Sequence, residues 1–325
     1  MKKKKLGFSD LELTVIGLGT WAIGGGAWRY GWGPQDDNES IRSIRRALDL
    51  AINWIDTAAV YGLGHSEEVV GKAIKGMQKR PFIATKCGRF QDSDGSVRGN
   101  LKKESVKREA EMSLKRLGIE AIDLYQIHWP DPENDIEEGW AAISALIKEG
   151  KVRYGGVSNF GIKDLERIES IHPVASLQPP YSMINRSIEK DIIQYCGRKN
   201  IGIICYSPMY KGFLTGKISK EWMTKLAPED HRHHDPHFKE PELSINIAFV
   251  EQLKQVAKKT GIAIPHLAIA WTLRHHEVTA AIVGARHTSQ IEETVNAWAV
   301  NLSQDIASEI NRLIEERERK LAAIR

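Results

Sequence analysis

The sequence predicts an α/β protein folded as a (β/α)8 barrel, the TIM-barrel architecture, with additional C-terminal helices. Short β-branched runs alternate with longer stretches of helical period, and the alternation repeats eight times. Polar, chemistry-bearing side chains stand at the last positions of successive runs, where a barrel gathers them at one mouth. Barrels of this kind take about 250 residues as one domain. No linker or composition shift divides the 325 residues, so residues 1–325 are expected to form a single domain.

Each unit is legible in order. The first strand is expected at residues 13–19, followed by a helix from about Asp37 with Ile41, Ile44, Ala47, Leu48 and Ala51 on one stripe. The second unit is the strand at 53–56 and a helix from Ser66, where a capping serine precedes Glu67 and Glu68. A strand at 82–86 precedes a helix over 101–117 that Gly118 stops, and a strand at 122–128 precedes one over 136–149 closed by Gly150. Strands at 154–158 and 175–178 flank a helix at 162–170, and the seventh strand is 202–206. A long polar segment, 208–241, leads to helical stretches at 245–260 and 266–275. The eighth strand, 279–283, is followed by a helix at 289–298, and the tail from Ser303 reads as one more amphipathic helix packed outside.

Composition narrows the function. The chain is 42% hydrophobic and 27% charged, a globular balance, and no apolar run approaches the roughly 18 residues that span a bilayer. The start, Met1 to Lys5, reads as a solvated end and leads into no signal-peptide core, so a cytoplasmic location without membrane contact is expected. The net charge of +4 is spread among 42 acids, which argues against nucleic acid. Cys87, Cys196 and Cys205 have neither disulfide parity nor metal spacing and read as free thiols.

Four side chains would converge on one pocket of such a barrel: Asp56, Lys86 and His128 at three strand ends, and Tyr61 five residues beyond Asp56. An isolated phenol exchanges protons poorly near neutral pH, and a neighbouring ammonium lowers its pKa. Lys86 would do this, Asp56 would hold Lys86, and His128 would hydrogen-bond a reacting oxygen. The set suits protonation of an oxygen that becomes an alkoxide. Two stretches that break the rhythm, 24–35 and 208–241, would flank this mouth as binding loops. Trp21, Trp28, Trp32 and Trp129, with Tyr61 and His128, are expected to form a partly aromatic substrate pocket, the loop 24–35 closing over it with Trp32 inward.

Asp56-Thr57-Ala58-Ala59-Val60-Tyr61 resembles the D-T-A-x-x-Y motif of the aldo-keto reductases, and Ile83 to Lys86 and Asp123 to His128 resemble that family's lysine and histidine strands. Further similar segments span the chain: Gly17 to Trp21, Ser113 to Leu117, Gly156 to Phe160, Gly212 to Lys217 and Gly284 to Arg286. Within the family, Gly19 to Gly24 and His128 to Pro132 look most like the bacterial branch of general-stress and aldose or polyol oxidoreductases. The resemblance implies Asp56, Tyr61, Lys86 and His128 as a catalytic tetrad, with NADPH as cofactor and a small carbonyl or alcohol as substrate. It implies that Ser158, Asn159 and Gln178 bind the nicotinamide carboxamide and that Tyr206 stacks on the ring. Ser207, Pro208, Met209, Gly212 and Lys217 would wrap the pyrophosphate, and Gly284, Arg286, Gln290, Glu293 and Thr294 would meet the adenosine end. Arg286 is then the natural partner of a 2′-phosphate. Gly19, Thr20 and Trp21, with Asp56, complete the implied cofactor contacts. The same family contains cofactor-binding, redox-sensing subunits with little turnover, which is the alternative reading. Pro179-Pro180 and Thr294 depart from the usual pattern.

Three other readings fit parts of the sequence. Gly17-x-Gly19-x-x-Ala22, with Asp37 or Glu39 further on, matches a Rossmann variant, but Gly24, Gly25 and Gly26 delay the helix that would sit under a pyrophosphate. The run from His231 to His237 has metal-capable side chains without helical pairing, reads as a solvated loop, and no metal site is expected. A metal-dependent barrel hydrolase is the third.

Overall fold

The computed structural model describes every residue except Ala27, Arg29, Glu229 and Arg325. The chain opens with an antiparallel hairpin, β1 (Lys3–Lys5) on β2 (Glu12–Thr14). The lysine run is therefore a paired strand, although Lys2, Lys3 and Lys5 stay exposed to solvent as expected. Lys4 Nζ donates to Val278 O at 2.8 Å, which fastens the hairpin to the last barrel strand. Leu6, Leu11 and Leu13 are buried and close the bottom of the barrel against Trp54, Leu124 and Ile204. The single run expected at 13–19 is thus divided between this plug and the barrel.

The barrel strands are β3 (Ile16–Gly19), β4 (Trp54–Asp56) and β5 (Phe82–Cys87). A short hairpin of β6 (Arg89–Gln91) and β7 (Val97–Gly99), which the sequence pattern did not reveal, rises from the end of β5. The circuit continues with β8 (Ile122–Ile127), β9 (Val152–Ser158), β10 (Ser176–Gln178), β11 (Gly202–Tyr206) and β12 (Val278–Gly284). The eight strands are parallel, and the barrel closes where β12 pairs with β3, Ala281 opposite Ile16 and Gly284 opposite Gly19.

The surrounding helices are α1 (Asp37–Asp49), α2 (His65–Ile74), α3 (Lys103–Leu117), α4 (Ile136–Lys148), α5 (Ile162–Glu169) and α6 (Ile192–Lys199). No helix was expected in the sixth unit. α6 is short, and its Ile193, Tyr195 and Cys196 are buried by the barrel, so packing supplies what a long periodic pattern would have advertised. Ser66 is not a cap either: α2 starts one residue earlier, behind a left-handed Gly64, and the Ser66 hydroxyl donates to Thr20 O at 3.0 Å.

The segment 208–241 is folded rather than a plain loop. It holds α7 (Lys220–Thr224) and several 3₁₀ turns, with Phe213, Leu214, Ile218 and Phe238 buried. α8 (Glu242–Thr260), α9 (Ile264–Thr272) and α10 (Thr288–Thr294) follow. α11 (Gln304–Ala322) begins at Ser303, whose hydroxyl accepts from Ile306 N at 3.3 Å, and buries Ile310, Leu313 and Ile314. Among the described residues no helix is long and apolar enough to cross a membrane.

Candidate active site

The strand ends open into one cleft of about 790 Å³. Beneath its wall, Lys86 is 1% exposed, and its Nζ donates to Asp56 Oδ1 at 2.6 Å, Thr57 O at 2.9 Å and Tyr61 OH at 3.4 Å. Asp56 accepts Gln178 Nε2 on its other oxygen at 2.8 Å, so one carboxylate ties together β4, β5 and β10. Tyr61 lies in a turn pressed against the loop after β3: a Cβ on Gly62 would stand 2.1 Å from Gly24 O, so only glycine allows that approach. His128 continues the ladder, its N donating to Cys87 O at 3.0 Å, and its ring meets Tyr61 edge-on with centroids 5.7 Å apart.

The electrostatics correct one expectation. The Tyr61 phenol is pushed well above its usual pKa, first by burial and then by the Asp56 carboxylate, so Lys86 does not turn it into a phenolate in the resting site. Burial lowers Lys86, and the Asp56 carboxylate works against that shift. Burial, then Lys86 and Arg89, hold His128 well below the ordinary histidine range. The resting site therefore presents a neutral phenol and a neutral imidazole beside an ammonium.

All the residues expected to hold a cofactor line this same cleft, from Gly19, Thr20 and Trp21 through Ser158, Asn159 and Gln178 to Tyr206, Ser207, Pro208, Met209, Gly212 and Gly284. Several are already engaged with one another. Asn159, at φ +63°, donates from Nδ2 to His128 O and Ser158 Oγ, each at 3.0 Å, and accepts the Tyr206 hydroxyl at 2.9 Å. Ser158 Oγ donates to Gln178 O at 2.8 Å. Lys217 pairs with Glu293 at 2.9 Å, Gln290 accepts from Arg286 N at 2.7 Å, and the Thr294 hydroxyl returns to Gln290 O at 2.8 Å.

Arg286 is less free than the sequence suggested. Its Nε donates to Gln35 Oε1 at 2.7 Å, its Nη1 to Trp32 O at 3.0 Å and its Nη2 to Pro34 O. The loop after β3 is thereby strapped to the loop after β12.

The aromatic wall holds Trp21, Trp28, Trp32 and, at the exposed rim, Trp129. Within this loop Ala27 and Arg29 lie outside the described residues. The segment at 231–237 was read as a solvated loop, and the structure corrects this: His231 and Arg232 are buried. The Arg232 guanidinium lies 4.6 Å from the Trp32 ring centroid and 4.8 Å from that of Trp222, and forms a bidentate pair with Asp230. His231 packs 4.6 Å from Trp21 and 4.7 Å from Trp32, with burial driving its pKa down to about 3. Among the described residues no three His, Cys, Asp or Glu side chains cluster as a metal site. Sequence reasoning also passed over Arg89, Lys211, Trp222 and Arg232, all of which line the cleft. Arg89 was within reach, since it follows the Lys86 strand end by three residues.

Comparison with known proteins gives the arrangement a context. The Aldo/keto reductase family model matches residues 15–315. The chain is 38% identical over 320 residues to the aldo-keto reductase YhdN of Bacillus subtilis, covering 97% of this chain and 94% of that one. It is 34% identical over 333 residues to the NADH-specific methylglyoxal reductase of Escherichia coli, covering 98% and 100%. Among solved structures, the glycerol dehydrogenase AKR11B4 from Gluconobacter oxydans superposes with a TM-score of 0.87 at 34% identity, covering 97% and 95% of the two chains. The aldo-keto reductase AKR11C1 from Bacillus halodurans gives 0.79 at 26%, covering 96% of each. With the match running over nearly the whole barrel, the chain belongs to the aldo/keto reductase family.

Proposed function

We propose that this protein is an NADP(H)-dependent oxidoreductase that interconverts aldehydes or ketones, sugar-derived ones included, with their alcohols, using Tyr61 as general acid. The observation that carries the reading is the buried Lys86 ammonium, held by Asp56 at 2.6 Å and touching the Tyr61 hydroxyl at 3.4 Å, in a cleft that also exposes His128 and Trp129.

The cleft suits a nicotinamide dinucleotide. Its length carries an aromatic ring at Tyr206, a polar group at Ser158, Asn159 and Gln178, and four cations, Lys211, Lys217, Arg232 and Arg286, toward the end where phosphates would lie. When bound, such a cofactor supplies the hydride. The protein's own residues do the rest. His128, neutral, donates a hydrogen bond to the carbonyl oxygen and orients it. The Tyr61 phenol gives its proton to that oxygen as negative charge develops, and the Lys86 ammonium then stabilises the phenolate left behind. Asp56 keeps Lys86 charged and in position. The carbonyl carbon has gained a hydride and its oxygen a proton, and Tyr61 recovers its proton from solvent.

Arg286 favours NADPH, since a guanidinium matches a 2′-phosphate; burial and then the neighbouring Arg232 charge lower its pKa, and an anion bound there would offset both. The named relatives act on a dicarbonyl in one case and on glycerol in another, which points to small oxygenated carbon compounds. The cysteines Cys87, Cys196 and Cys205 are buried free thiols, in keeping with a reducing cytoplasm. The test is a cofactor-monitored screen at 340 nm of aldoses, polyols, short aldehydes and dicarbonyls, run with NADPH and with NADH. Steady turnover of at least one class with NADPH is expected. Tight NADPH binding with negligible turnover across the panel would favour the redox-sensing module instead.

A further inference from the structure

Beyond Lys86, β5 runs through Cys87 to Gly88, at φ +84°, where a Cβ would stand 2.5 Å from Leu101 Cδ2. Only glycine turns the chain there, and the turn sends it into the β6–β7 hairpin over the barrel mouth. Gly88 N donates to both oxygens of the buried Glu109 at 3.1 Å, which holds the turn. Arg89 therefore starts the hairpin from a fixed position, with its side chain in the wall of the cleft and 19% exposed. Its Nη1 donates to Asp131 Oδ2, in the loop that follows His128. That loop and the hairpin are in close contact, for a Cβ on Gly99 would fall 1.9 Å from Asp131 O. Arg89 is thus braced between the two strand ends that carry Lys86 and His128.

The distribution of charge around the cleft is uneven. Lys211, Lys217, Arg232 and Arg286 come from the loops after β11 and β12, on the side assigned to the cofactor. Among the described lining residues from the loops after β3, β4, β5 and β8, Arg89 carries the one fixed charge, amid Trp28, Val60, Val97 and Trp129. Asp131 compensates it only in part, being 53% exposed to solvent, whereas Arg89 is mostly enclosed. The charge is felt at the reacting end, where it adds to burial and to Lys86 in lowering the His128 pKa. A guanidinium has five N–H donors and no acceptor, so what it takes from a substrate is an acceptor, and its planar fork matches a carboxylate.

We propose that Arg89 is a specificity-determining residue that binds a carboxylate on the substrate, so that the preferred carbonyl compounds are short oxo acids. This deepens the reductase reading and rests on it. The carboxylate would bind to the Arg89 guanidinium while the carbonyl oxygen of the same molecule is held by Tyr61 and His128. Uncharged carbonyls of equal length would lack the first contact.

The experiment compares kcat/KM for 4-oxobutanoate and for butanal with NADPH, in the wild type and in Arg89→Met and Arg89→Lys. The wild type is expected to prefer the oxo acid, and Arg89→Met to reduce that preference by about ten- to a hundredfold, the worth of one charge-assisted contact. Arg89→Lys should recover part of it, and the oxo acid's KM should rise with ionic strength while that of butanal stays level. Should Arg89→Met fold poorly, Asp131→Asn keeps the proposal open to refutation: freeing the guanidinium should raise the preference for the oxo acid. A wild type that reduces both substrates alike, or a preference unmoved in Arg89→Met and Asp131→Asn, overturns the proposal and leaves the reductase reading standing. A wild type that turns over neither substrate nor any other carbonyl removes both.

Discussion

The floor of the cleft and its rim are built on different terms. On the floor, Lys86 and Asp56 are buried, the Lys86 ammonium and both Asp56 oxygens have hydrogen-bond partners, and the anchoring groups sit at the ends of paired strands β4, β5 and β10. On the rim, the loops after β3 and β11 meet through aromatic and cation–π contacts. Among the described residues, Trp28 Nε1, Trp32 Nε1 and His231 Nε2 are buried there without a hydrogen-bond partner. Each such atom costs about 1–3 kcal/mol if it stays unpaired. Groups which must not move are thus fixed by backbone ladders, while the groups proposed to choose and admit ligands are carried on loops at some expense in stability.

The largest effect is expected from removing the floor's cation. Lys86→Met should lower kcat for carbonyl reduction by about a hundred- to ten-thousandfold, since the phenolate formed after proton transfer loses its counter-charge. A rate within a few fold of wild type would show that the ion pair only packs. On the rim, Arg286→Ala should weaken NADPH by roughly ten- to a hundredfold and NADH much less, as measured by fluorescence titration. Because Arg286 also straps Trp32, Pro34 and Gln35, equal weakening of both cofactors would mark it as a strut for the loop alone. Trp32→Ala should change kcat/KM unevenly, most for bulky or aromatic carbonyls, with NADPH affinity within about threefold. A uniform loss with a lowered Tm would make Trp32 a packing residue. The smallest expected effect is an absence of change: His128 is held well below the usual histidine pKa, so kcat should show no histidine-like step between pH 6 and 8. A step near pH 6.5 abolished by His128→Gln would contradict its neutral resting state.

How much of this was readable beforehand follows the same division. The floor was legible because strand ends converge by topology: Asp56, Lys86 and His128 are each the last polar residue of a β-branched run, and a closed parallel barrel leaves them one place to meet. The direction of the Tyr61 shift was not, since burial and then the Asp56 carboxylate raise it, and burial is set by packing from the loop after β3. The rim was largely hidden. Arg232 and His231 stand in a run of histidines, charges and prolines that has the composition of a solvated loop, and the rings of Trp21, Trp32 and Trp222, the first two far away in sequence, pack against them. The N-terminal hairpin was missed for a similar reason, because three lysines carry no strand pattern and are fixed by pairing with Glu12–Thr14.

In the proposed mechanism the floor supplies the proton, and the cleft holds the cofactor independently of it. The most direct measurement is Tyr61→Phe, with NADPH affinity taken by fluorescence titration and carbonyl reduction followed at 340 nm on the same preparation. Removing one hydroxyl leaves the ring against Trp21, Trp28 and His128, so the fold and the cofactor groove should persist. The expected result is NADPH affinity within about threefold of wild type, less than roughly 0.7 kcal/mol, together with loss of measurable turnover. Turnover near the wild-type rate in a variant that binds NADPH normally would contradict the assignment of Tyr61 as the proton donor.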